Sequence, residues 1–164
     1  MMEHRILLAV DGTESCLPAV RKAISMAAET DRRVTAMYVK EIGFRMRPSF
    51  YSPREIDRMA RDVFSSVRSM ADEAGVDIEF KVAVGHAARD IASMSRGYDF
   101  VVCGTNSRRG LIRMVAGSVS DSLARLCKCA TMIVQSRARS MGESLSSDRA
   151  IHPHGHDERV RSDR

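Results

Sequence analysis

Tryptophan is absent from this 164-residue chain, and aromatic residues together make up only 5% of it. The core must therefore be built from aliphatic and methionine side chains, and no RNP-type aromatic motif is available to stack on RNA bases. No apolar run approaches the roughly 18 residues of a membrane-spanning helix, so no membrane partner is expected. Cysteine is sparse: of the four, Cys16 and Cys103 fall in or beside elements expected to be buried. Cys127 and Cys129 form a single C-x-C with no second pair, so a small hydrophobe is the expected role of each and no metal site is expected. Catalytic signatures are missing too. No lysine closes a Gly-rich loop in the Walker manner, and neither G-x-G-x-x-G nor G-x-S-x-G occurs.

What is present fits one soluble domain with an extension. Hydrophobic residues make up 44% and charged residues 29%, with a net charge of +5. That excess favours nucleotides or acidic partners, and without a recognition motif nucleic acid is not an expected partner. The first apolar run starts within about five residues of the N-terminus, which leaves no room for a secretory signal, so a cytoplasmic location is expected.

The chain is organised around residues 98–123, YDFVVCGTNSRRGLIRMVAGSVSDSL. Phe100, Val101, Val102 and Cys103 form a short β-branched run, as expected of a strand buried on both faces. Residues 104–110 then form a loop bounded by Gly104 and Gly110, where positive φ and close backbone approach to a ligand are permitted. Gly117 precedes Ser118, Val119, Ser120 and Asp121, whose hydroxyl and carboxylate groups suit the first turn of a helix carrying Leu123 and Leu126. Strand, basic loop and helix N-terminus together predict an anion site, most naturally for phosphate.

Elsewhere, strands and helices alternate. Arg5 to Val10 reads as a strand ending at Asp11 and Gly12, with Thr13 or Ser15 capping a helix whose apolar positions are Val20, Ala23, Ile24 and Ala27. Residues 34–40 read as a second strand. Two prolines, a glycine and Phe44, Phe50 and Tyr51 break residues 41–53, and packing on the domain is the expected fate of those aromatics. Ser52 and Pro53 start a long helix with a stripe of Ile56, Met59, Val63, Val67, Met70 and Ala71, ended by Gly75. Residues 77–84 alternate as a third strand, His86 is a loop residue, and Ile91, Ala92 and Met94 mark a third helix. Ala130 to Gln135 is the fifth strand. This alternation predicts an α/β fold with an open, doubly wound parallel sheet. Beyond Ser136 the composition turns polar and aperiodic, so residues 1–136 are expected to be the domain and 137–164 a disordered tail, with His152, His154 and His156 solvated.

Several landmarks recur in a known order. ILLAVDGTES from Ile6, VTAMYVKE from Val34, VAVGHAARDI from Val82 and the spacing of Gly104 to Gly117 and Ser118 resemble the ATP-binding branch of the universal stress protein family. The family signature is Gly, two residues, Gly, nine residues, then Gly-Ser or Gly-Thr. Here Ser107 replaces the middle glycine and Arg109 replaces another common one. The resemblance implies a five-stranded sheet of order 3-2-1-4-5, an adenine nucleotide alpha hydrolase-like arrangement, with Asp11 and Gly104 adjacent where the order reverses.

It also implies a site. Ala9, Val10 and Asp11 with the Val39 backbone would take adenosine, and Gly104, Ser107, Gly110, Gly117, Ser118 and Val119 would take ribose and phosphates. The implied ligand is ATP or another adenine nucleotide, with magnesium accompanying the phosphates. The implied role is a stress or signalling module with an unidentified signalling partner, not an efficient enzyme, forming a homodimer through Ala130 to Gln135. The competing reading is a ligand-free interaction protein of the same family, toward which Ser107 and Arg109 point.

Overall fold

The computed structural model describes residues 4–42, 51–105 and 119–135. Five parallel strands, β1 (Arg5–Val10), β2 (Arg33–Glu41), β3 (Ile78–Gly85), β4 (Phe100–Thr105) and β5 (Ala130–Gln135), form one sheet of order 3-2-1-4-5. Four helices connect them: α1 (Leu17–Thr30), α2 (Pro53–Ala74), α3 (Ala87–Met94) and α4 (Val119–Leu126). The expected architecture is the observed one.

Alternation along β1 explains the layering. Ile6, Leu8 and Val10 point into one cluster with Val20, Ile24, Phe64 and Val67 of α1 and α2. Leu7 and Ala9 point to the other face, with Ile91 of α3 and Leu123 of α4. Ile6, Leu7 and Leu8 are fully buried, as a central strand covered by helices on both faces requires. The α1 stripe buries Ala19, Val20, Ala23, Ile24 and Ala27. In α2, Phe64 joins Val67 and Ala71 as the buried set, with its ring 4.8 Å from Phe80 and 6.5 Å from Tyr38. A capping box starts α2: Ser52 accepts from the Glu55 N–H, while Glu55 accepts from the Ser52 N–H at 2.9 Å.

Two local expectations are corrected. The start of α1 is not capped by Thr13 or Ser15: a short 3₁₀ turn over Glu14–Cys16 precedes it, and Cys16 stands at the cap without capping it through its side chain. Gly104 lies within β4, not in a loop, because the ladder to β5 continues through Gly104 opposite Val134 and Thr105 opposite Gln135.

Asp99 fastens the opposite end of the sheet. Its carboxylate accepts from the Arg5 N–H at 2.8 Å and from Arg32 Nη1 at 3.1 Å. The Arg5 and Arg32 guanidinium groups in turn lie over the Tyr98 and Phe100 rings, 4.9 and 5.0 Å from the centroids.

Candidate functional site

The site begins where β1 stops. Val10 is its last residue, paired with Tyr38 of β2, and the chain then turns through Asp11 and Gly12, the latter at φ +77°. Asp11 is exposed. Its Oδ1 accepts twice from Thr13, from the N–H at 2.9 Å and from the hydroxyl at 2.7 Å, and Thr13 Oγ1 also meets Ser15 Oγ at 2.8 Å. The two hydroxyls expected to face forward into the helix face backward instead, Thr13 to the aspartate and Ser15 to Thr13.

Neighbouring strands overrun β1 on both sides. Strand β2 continues through Val39, Lys40 and Glu41, which pair only with β3. Ladder bonds alternate along a strand. The Arg33 N–H goes to His4 on the β1 side and the Ile42 N–H to Gly85 on the β3 side, so odd-numbered residues of β2 address β1. The Val39 carbonyl and the Glu41 N–H therefore face the space beyond the end of β1, an acceptor and a donor one peptide apart. The Val39 side chain is buried on the α3 face. Lys40 holds Tyr51 beside this edge, its Nζ 5.6 Å from the ring centroid, so Tyr51 packs on the domain as expected.

On the other side the gap is filled. A Cβ at Gly104 would stand 3.0 Å from the Ser15 carbonyl oxygen and 3.2 Å from Cys16 Cα. The missing side chain thus lets the turn after β1 close against β4. From the α2 side, a Cβ on Gly12 would meet Val63 Cγ2 at 3.0 Å. The turn carrying Asp11 is held between α2 and β4, and among the described residues its open flank is the β2 edge. Cys16 anchors it below, its thiol donating to the Ala9 carbonyl at 3.6 Å, and burial pushes that thiol up to about 11.

Val119 opens α4 and packs on the α3-side cluster. Ala9 and Val10 are buried beneath the turn. Ser107, Gly110, Gly117 and Ser118 lie outside the described residues, as do Phe44, Phe50, the arginines of the loop and the C-terminal tail. His86 is exposed at the start of α3, where its N–H donates to Asp90 Oδ2 at 2.9 Å. Among the described residues no three His, Cys, Asp or Glu side chains converge on a metal site, and no helix is long and apolar enough to cross a membrane.

The sequence profile of the universal stress protein family matches residues 2–135. The chain belongs to that family. It is 29% identical over 138 residues to universal stress protein MJ0531 of Methanocaldococcus jannaschii, covering 80% of this chain and 81% of that one. Universal stress protein Sll1388 of Synechocystis is 28% identical over 149 residues, covering 80% and 97%. Solved universal stress proteins share the fold. One in complex with cAMP aligns with a TM-score of 0.62 at 23% identity, over 82% of this chain and 98% of its own. Another, from Archaeoglobus fulgidus and in complex with dAMP, aligns at 0.62 and 18%, over 81% and 98%. In this universal stress protein, Asp11 and Val39 stand where the sequence placed them, after β1 and in β2, but sequence reasoning missed the packing duty of Gly104 and the bond from Thr13 to Asp11. The T-x-S pattern two residues after the aspartate was the available signal for the latter.

Proposed function

We propose that this universal stress protein binds an adenine nucleotide at the end of β1 and acts as a cytoplasmic stress or signalling module rather than an enzyme. The observation that carries the reading is the β2 overhang: the Val39 carbonyl and the Glu41 N–H match the amino donor and ring-nitrogen acceptor along one edge of adenine. Asp11 sets the orientation. A carboxylate only accepts hydrogen bonds and repels phosphate, so it takes the nucleoside end, and the phosphates go toward Ser107, Gly110, Gly117, Ser118 and Val119 at the start of α4. Magnesium enters with ATP, since the phosphates supply most of its ligands. Solved relatives holding cAMP and dAMP support an adenine ligand. The protein works as a homodimer through β5.

Calorimetry with AMP and ATP tests this, with mass analysis of nucleotide released on denaturation as a second check. Ser107→Gly should tighten binding: a serine forced to φ > 0 costs about 1 kcal/mol or more, against about 1.4 kcal/mol for a tenfold change in affinity. Asp11→Ala and Gly117→Val should abolish binding. Absence of binding by both wild type and Ser107→Gly would leave the ligand-free interaction protein as the function.

A further inference from the structure

We infer that Thr13, backed by Ser15, is a positioning residue that presets Asp11 for the ligand; this rests on the nucleotide reading above. The direction of the hydroxyl chain follows from counting protons. The Asp11 Oδ1 accepts from the Thr13 hydroxyl, 2.7 Å away, which spends its single proton there. The contact of 2.8 Å between Thr13 Oγ1 and Ser15 Oγ must then be a donation from Ser15. The chain runs Ser15 to Thr13 to Asp11, and the Thr13 N–H adds a second bond to the same oxygen.

The consequence is selective for one oxygen. Both bonds from Thr13 fall on Oδ1, which fixes the plane of the carboxylate and turns Oδ2 to the ligand. Asp11 is exposed, whereas Thr13 and Ser15 are half-buried in a turn braced by Val63 and β4. An exposed aspartate without that support would sample several rotamers, and a ligand would have to select one of them. With it, the ligand meets a single acceptor aimed at a hydroxyl or amino donor of the nucleoside.

Thr13→Val is the discriminating variant. Valine keeps the shape, suits the extended backbone at φ −86°, ψ 155° and retains the N–H bond, so only the hydroxyl chain is lost. Calorimetry with AMP should show binding weakened about fivefold to tenfold, of the order expected when one charge-assisted bond no longer orients the carboxylate. The melting temperature should stay at the wild-type value, and Thr13→Ser should restore affinity. Unchanged AMP affinity in Thr13→Val, beside a wild type that binds, would overturn the positioning role alone. Weakening that comes with a lowered melting temperature would also overturn it, by making Thr13 a stability residue. A wild type that binds no AMP would bring down the nucleotide reading first and this inference with it.

Discussion

Gly104 shows how a glycine can be legible while its reason is not. Its place in the signature is plain in sequence, where it reads as a residue kept bare for a ligand. In three dimensions the nearest atoms to a Cβ there are main-chain atoms of Ser15 and Cys16, which no rotamer change can move. Gly104→Ala should therefore destabilise the fold by about 1–3 kcal/mol, seen as a lower urea midpoint with or without nucleotide. Asp11 was recognisable because a carboxylate directly after a short apolar strand is placed by strand length alone. Its fastening by Thr13 had a signal that pointed two ways, since a hydroxyl two residues on serves equally as a helix cap.

Asp99 supplies a pH signature. The Arg5 N–H bond, then the charges of His4 and Arg32, hold its carboxyl below the ordinary value of 3.8. The unfolded chain therefore binds a proton at higher pH than the folded one. The stabilisation is present above the unfolded pKa and fades as pH falls through the folded one. Acid titration of stability should show a shallower drop below about pH 4 in Asp99→Asn than in the wild type, with Glu55, also held low by its cap to Ser52, keeping part of the drop.

At the scale of elements, α2 was the most readable, because its cap and its stop are written locally. Ser52, Pro53 and Glu55 make the capping box, and Gly75 ends the helix at φ +65°. Ser52→Ala should cost about 1 kcal/mol in chemical denaturation. Phe64 was missed for a physical reason. The stripe read from the sequence held Val67 and Ala71 correctly but took Val63 as their neighbour, whereas it is Phe64, one step around the helix, whose ring packs between Tyr38 of β2 and Phe80 of β3. Nor could the start of α1 be placed, because Thr13 is bonded back to Asp11 and Ser15 to Thr13.

Across the whole molecule the strand order leaves β5 at one edge. Met132 and Val134 pack inward on the α1 and α2 cluster, while Ile133 on the opposite face is 37% exposed and Leu126, at the end of α4, is 51% exposed. The two are the large hydrophobics left open among the described residues. An edge strand also presents a row of free main-chain donors and acceptors, which natural proteins cover or block with charge. Neither residue is charged, and in the proposed homodimer a two-fold mate pairing along β5 would cover them. Light scattering should give a dimer at micromolar concentration, and Ile133→Lys, which puts charge on the edge without touching the inward face, should shift it to monomer with its fold retained by circular dichroism. A wild type that scatters as a monomer would overturn the dimer. Affinity for adenosine, the part of the ligand assigned to the turn after β1 and the β2 overhang, should survive Ile133→Lys, because both lie two strands or more from that edge.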